Sequence, residues 1–283
     1  MKSSLQLTGI GLRTPHHIAF LENRPGVAWV EIQSEHFFVD GGKSLQALTA
    51  IRQDYPVSLH SSSLSLGSAD ELNWQQLKKL RDLSLRIDPC LISDHLSWSS
   101  IDGHYLHDLI PIPYTEEALT HVVTRIKQVQ DYLNKQILIE NITNYMTFNA
   151  SIIPESEFLT EVATQSGCGI LLDINSVYNS AMNLHFDAIE YLSNIPGKLI
   201  QEIHLSGFSS THINKKEVLV PSHDRPIVPA VWNLFRQSVK QFGAKPVMIE
   251  WDTDLPTLET LCLEAYRAEK TMREEYAATK PTS

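Results

Sequence analysis

Gln136–Tyr145 reads QILIENITNY, a short aliphatic run that stops abruptly on a carboxylate. Ile137, Leu138 and Ile139 suit a strand buried on both faces, as in a parallel sheet covered by helices. Glu140 and Asn141 end it. A carboxylate at the tip of such a strand cannot enter the core unpaired, because desolvating the charge costs more than the strand's packing returns. It requires a cation or a proton.

The same grammar recurs along the chain. Leu7–Leu12 leads into Arg13, and Val27–Ile32 carries Glu31 near its end, with Glu35 beyond it. Pro56–His60 ends on His60 and Cys90–His95 on Asp94 and His95; Gly169–Asn175 ends around Asp173, Leu199–Leu205 presents His204, and Pro246–Trp251 ends on Glu250. Between these runs the spacing predicts helices over Ser44–Tyr55, Leu72–Ile87, Thr115–Asn134, Phe158–Gln165, Val228–Phe242 and from Pro256 past Met272. Eight such runs, most followed by a helix, predict an α/β fold, a (β/α)8 barrel formed by residues 1–283 as a single domain with a disordered tail at ATKPTS. Trp98–Pro113 and Ser206–Pro226 read as long loops. Gly9 and Gly11 make no dinucleotide fingerprint, since Thr14 stands at the third glycine position; such a pair marks close backbone packing.

Bulk properties narrow the function. The net charge is −10 over 283 residues with scattered basic groups, which argues against a nucleic-acid partner. No apolar stretch reaches membrane-span length and the first residues lack the apolar segment of a signal peptide, so a cytoplasmic protein is expected, without a membrane partner. Cys90, Cys168 and Cys262 form no CxxC pair and are expected to be small buried hydrophobes rather than a disulfide or thiolate site. No GxSxG elbow accompanies the serine-rich loop after His60.

In a parallel barrel the strand ends converge on one face, where barrel active sites lie. His60, His95, Glu140, Asp173, His204 and Glu250 are predicted to meet there. Singly, each has an ordinary explanation as a bonded core histidine or a paired carboxylate. Together, three imidazoles and three carboxylates form a nitrogen and oxygen donor set that suits iron, manganese or zinc. Three mutually repelling carboxylates favour more than one cation. His16, His17, His36, His104, His107, His121, His185 and His212 lie off the strand ends, and surface or capping roles are expected for them.

GIGLR, HSSSLSLG, SDHLSW, LIENIT, LLDINSVYNSAMN, EIHLSG, SHDRPIVPAVW and MIEWD, in this order, span nearly the whole chain. Together they resemble the multinuclear non-haem iron-dependent oxidative enzymes, the family that includes the methanobactin-biosynthesis oxidase. The resemblance implies the xylose isomerase type of barrel. It implies that His60, His95 and Glu140 hold one metal and that Glu140 bridges to a second held by Asp173, His204 and Glu250, with Asn141 and Asn175 beside them. Glu140, Asp173 and Asn175 are the expected catalytic residues, and His223 is a further candidate ligand. Pro221 stands where the family usually has an Asp, and Ser176 where many relatives have Asn or His, which leaves His223 with few partners and favours two iron ions over three. The implied activity is oxygen-dependent modification of a cysteine-containing precursor peptide, delivered by a separate peptide-recognising protein. A zinc- or manganese-dependent isomerase, epimerase or phosphodiesterase on the same barrel is the alternative, followed by a non-catalytic metal- or partner-binding barrel.

Overall fold

The structure, a computed structural model, describes residues 7–279. Strands β1 (Thr8–Gly11), β2 (Val30–Gln33), β3 (Val57–His60), β4 (Leu91–His95), β7 (Leu138–Glu140), β8 (Gly169–Asp173), β9 (Ile200–Leu205) and β12 (Val247–Ile249) form the barrel. They close in the order β1-β12-β9-β8-β7-β4-β3-β2, every pairing parallel. This is the predicted (β/α)8 architecture. Helices α1 (His17–Asn23), α2 (Lys43–Asp54), α3 (Trp74–Ile87), α4 (Glu116–Leu133), α5 (Glu155–Ser166), α6 (Ile174–Leu184), α7 (Ala188–Ser193), α8 (Pro229–Phe242) and α9 (Leu258–Thr279) complete it.

Alternation along the strands sorts side chains into two sets. Ile10, Ile32, Leu59, Ile139, Leu172, Leu205 and Ile249 join the helices in one continuous apolar core. The helices meet them with one face, as in α4, which buries Leu119, Val122, Val123, Ile126, Val129 and Leu133 and is capped by Thr115 Oγ1, the acceptor of the Ala118 amide at 3.2 Å. Residues of the other parity fill the barrel. Trp29, Leu138, Leu171 and Met248 are buried but stand apart from that core, forming the floor. The two glycines of β1 make room inside: a Cβ on Gly9 would lie 2.5 Å from the Trp29 indole, and one on Gly11 would lie 3.1 Å from the Arg13 guanidinium.

Both expected long loops contain hairpins. After β4 the chain forms β5 (Trp98–Ile101) and β6 (His104–Ile110), and after β9 it forms β10 (Ser209–Ile213) and β11 (Lys216–Val220), each an antiparallel pair. The sixth barrel strand ends earlier than the reading of Gly169–Asn175: β8 stops at Asp173, whose Oδ1 caps α6 by accepting the amides of Asn175 and Ser176 at 2.7 and 3.1 Å. Of the expected tail, the first two residues continue α9 and residues 280–283 lie outside the described ones. Cys168 is buried, but Cys90 is exposed, a correction to the expectation that all three thiols pack inside.

Gly9→Ala is expected to lower stability by about 1–3 kcal/mol through overpacking against Trp29. Gly26→Ala, where an added Cβ meets nothing within 4 Å, serves as control and should be neutral or slightly stabilising. Chemical denaturation of both variants measures the difference; equal midpoints would contradict the tight interior.

Candidate metal centre

The barrel brings the six strand-end residues together, all buried except His95, which is partly buried. Glu140 lies at the middle. Its Oε2 is 3.4 Å from His60 Nε2 and 3.2 Å from His95 Nε2, while its Oε1 is 3.4 Å from His204 Nδ1. The two histidines face each other at 3.2 Å between Nε2 atoms, and His60 Nδ1 is fixed by Ser93 Oγ at 2.7 Å. One carboxylate therefore serves two neighbourhoods, one oxygen to each.

The second neighbourhood contains Asp173, His223 and Glu250, whose donor atoms lie within 4.8 Å of one another. His223 Nδ1 is 3.3 Å from Glu250 Oε2 and 3.3 Å from Asp252 Oδ2, so the expectation that His223 has few partners is overturned. Asp252 is in turn gripped by Arg13, whose Nε donates to Oδ1 at 2.9 Å and whose Nη2 reaches the same oxygen. His223 adopts φ 46°, a left-handed conformation costly for a side-chain-bearing residue, and its carbonyl accepts the Asp252 amide at 2.8 Å. Ser176 donates to Asp173 Oδ2 at 2.7 Å. Asn141 has both amide atoms on the Asp173 backbone, accepting from its N–H at 2.9 Å and donating to its carbonyl at 3.0 Å, and so clamps β7 to β8. Asn175 is fully buried with neither amide atom hydrogen-bonded among the described residues, and it does not line the cavity above the cluster.

Sequence reading names Glu31 but not the lower layer it shares with Glu202. Glu31 Oε2 lies 3.3 Å and Glu202 Oε1 3.5 Å from His204 Nε2, all three residues fully buried. Glu202 stands two residues before His204, and Asp252 two after Glu250, so strand period alone could have flagged both. Of the histidines set aside as surface or capping residues, His16 and His17 are buried instead; His16 Nε2 meets the Pro256 carbonyl at 2.9 Å, and His17 packs near Phe37. His121 Nε2 reaches the Ser68 carbonyl at 2.7 Å, whereas His36 and His107 are exposed and line the cavity.

Burial dominates the electrostatics of this cluster. Burial pushes Glu140 up to about 8 and raises Asp173, despite nearby imidazoles. Burial lowers His60 well below the ordinary imidazole value and brings His95 to about 4. Burial also opposes a charge on His204, but the Glu31 and Glu140 carboxylates override it and raise that imidazole. His95 Nδ1, Glu140 Oε2, His204 Nδ1 and Nε2, His223 Nε2 and Glu250 Oε2 are buried without a hydrogen bond among the described residues. Oxygen and imidazole donors left open in this way fit a divalent or trivalent ion, and protons would leave as one bound. Above them opens a cavity of about 750 Å³, walled by Tyr105, Leu106, His107 and Asp108 of β6, by Tyr145, and by Pro221.

The family of RiPP precursor modification enzymes MbnB/TglH/ChrH matches residues 7–273. The chain belongs to this family. A UPF0276 protein of Anaeromyxobacter sp. (strain Fw109-5) is 48% identical over 260 residues, covering 92% of this chain and 90% of the relative. Among solved structures, a xylose isomerase-like TIM barrel protein from Mycobacterium smegmatis in complex with magnesium aligns with TM-score 0.55 at 11% identity over 98% of each chain. An IOLI protein with a bound zinc atom aligns with TM-score 0.56 at 14% identity, covering 96% of this chain and 97% of its own. These two establish the barrel type. The family membership establishes the resemblance read from the eight motifs, and with it a peptide-modifying enzyme family as the functional setting. No helix among the described residues is long and apolar enough to cross a membrane.

The segment that follows Glu140 is anchored through a partly buried acid. Asn144 Nδ2 donates to Glu155 Oε2 at 2.6 Å and Tyr191 Oη to Oε1 at 3.2 Å, and burial pushes Glu155 from 4.5 up to about 7. The native state therefore keeps a proton that the unfolded chain releases, and stability falls as pH rises from about 4.5 through about 7. Glu155→Gln should remove this part of the pH dependence, on the order of 3 kcal/mol across the window. Urea titrations of parent and variant at pH 5 and pH 8 measure it; parallel pH profiles would show that Glu155 ionises normally.

Proposed function

We propose that this family member is an oxygen-dependent enzyme that modifies a cysteine of a precursor peptide at a two-iron centre. The observation that carries the reading is the placement of Glu140, one oxygen toward His60 and His95 and the other toward His204, beneath an open cavity. His60, His95 and Glu140 would hold one ion; Glu140, Asp173, His204 and Glu250 would hold the other, with His223 adjoining it. When bound, an iron pair supplies electrons to dioxygen and a cationic seat for a thiolate.

The chain's own residues do the rest. Six residues sharing one carboxylate would hold two ions without saturating them, so a thiolate could be accommodated. Tyr105, Leu106 and Tyr145 give that cavity aromatic and apolar walls, suited to a side chain entering from an extended peptide. Arg13 and Asp252 hold His223, and Ser176 holds Asp173, so neither ligand must be ordered when substrate arrives. The two hairpins after β4 and β9 rise on the strand-end side and offer a rim for a peptide and for a peptide-recognising protein.

Two measurements test the proposal. Elemental analysis of protein prepared with iron should give two ions per chain, and Glu140→Ala should lose both together with the melting gain that metal addition gives, about 2.7 kcal/mol at a hundredfold excess over Kd. His121→Ala should bind as the parent does; metal retained by Glu140→Ala would remove the bridge. In the second, ferrous protein, a peptide-recognising partner and a cysteine-containing precursor are incubated with and without oxygen, and the peptide is weighed. A mass change at cysteine is expected only in air. An unchanged mass with iron and partner both bound would overturn the oxidase, and anaerobic turnover of a sugar or phosphodiester would replace it with metal-assisted chemistry of another kind.

A further inference from the structure

The middle layer of this barrel is unusual in chemistry. Branched apolar residues normally fill barrel interiors. Here the register sets Glu31 level with Ser58 on one side and with Gly11 on the other, and Glu202 lies one strand period below His204. Glu31 and Glu202 have no measurable exposure, and none of their four carboxylate oxygens has a hydrogen bond among the described residues. The nitrogen that both acids face is His204 Nε2, at 3.3 and 3.5 Å. The opposite nitrogen, Nδ1, faces Glu140 and Glu250 at 3.4 and 3.6 Å.

We propose that Glu31 and Glu202 are positioning residues for His204: they accept the Nε2 proton from below, so that Nδ1 is the atom offered upward to the metal beside Glu140 and Glu250. A neutral imidazole has one protonated nitrogen, and an acceptor on one side decides which nitrogen is free on the other. Two acids on Nε2 leave Nδ1 as the lone-pair donor. They also make the ring a stronger donor, because a carboxylate behind an imidazole raises its basicity. A cation seated among Glu31, Glu202 and His204 is the competing account of the same three residues. It would strip Nε2 of its proton and require His204 to bridge two metals as an imidazolate, inside a layer closed to solvent.

The inference rests on the metal centre proposed above, and its test uses neither oxygen nor peptide. Cobalt(II) is the probe, titrated into metal-free parent, Glu31→Leu and Glu31→Gln and followed by visible absorption against a competing chelator. In Glu31→Leu the ion served by His204 should bind about 10–100-fold more weakly with an altered spectrum, while the ion at His60 and His95 keeps its parental affinity. Glu31→Gln, which retains an acceptor oxygen, should recover most of the loss. Damage to the fold would weaken both ions alike, so selective loss is the mark of positioning. In the cobalt-loaded parent, proton NMR should show a hyperfine-shifted, slowly exchanging ring N–H that is absent from His204→Gln; this readout decides the matter if Glu31→Leu does not fold. Parental affinity in Glu31→Leu, equal weakening of both ions, absence of the N–H, or a third cobalt lost in Glu202→Gln would each overturn the positioning role. A parent that takes up no cobalt would overturn the metal centre with it, whereas cobalt binding without any peptide oxidation would overturn only the oxidase.

Discussion

Glu31, Glu140, Asp173, Glu202 and Glu250 are all buried inside one barrel, and among the described residues the guanidinium beside them is that of Arg13, 4.0 Å from Glu250 and bonded to Asp252. Their effective desolvation runs to several kcal/mol for each ionised group, far beyond what one arginine offsets. Without further cations the site can exist only by retaining protons, and burial drives Glu140 and Glu31 to about 8 and about 7 accordingly. With two multivalent cations the same carboxylates become an asset. The charge imbalance is thus the constraint around which the interior is arranged, down to the glycines of β1 that give Arg13 and Trp29 their space.

Much of the barrel was legible because strands buried on both faces carry dense aliphatic runs, and because a polar ligand type stands where each such run meets the active face. The hairpins were not, for two reasons. Strand β6 is almost wholly exposed, so it shows no alternation between core and solvent. The turn at Asp102 and Gly103, with φ 50° and 74°, does carry the Asp-Gly signature of a two-residue hairpin, but no alternating strand flanks it to give that signature weight. Helix α6 was hidden differently: INSVYNSAMNL is rich in Asn and Ser, poor helix formers, and the helix starts because Asp173 caps it. That residue therefore acts twice, as a strand-end acid and as the N-cap that fixes its own carboxylate.

In the site, strand-end residues were easy to name and their supports were hard. Glu202 in IQEIHL looks like a solvated residue of an amphipathic strand unless the barrel's inner parity is applied to it as well as to His204. Glu31 was weighed as a possible site residue at the strand end, but its position one layer lower appears only with the register. Asn175 shows the reverse: the family resemblance implies a place beside the ligands, while α6 starts directly after Asp173 and Asn175 does not line the cavity.

The corner around Pro221, where the resemblance implies an acid, is supported from the end of β12. Without an acid beside it, the Nδ1 of the partly buried His223, on a backbone in the left-handed region, would lose its carboxylate contacts. Here Asp252, delivered from the end of β12 and locked by Arg13, supplies that carboxylate, and the carbonyl of His223 is bonded to the same residue's amide. His223 is thereby drawn toward Asp173 and Glu250. In the two-ion reading this makes His223 an adjunct of the second ion instead of the remnant of a third, and it couples the ligand set to β1 through Arg13. The first and last barrel strands of the chain, β1 and β12, are neighbours whose pairing closes the sheet, so the contact between Arg13 and Asp252 that supports the site also spans that closure.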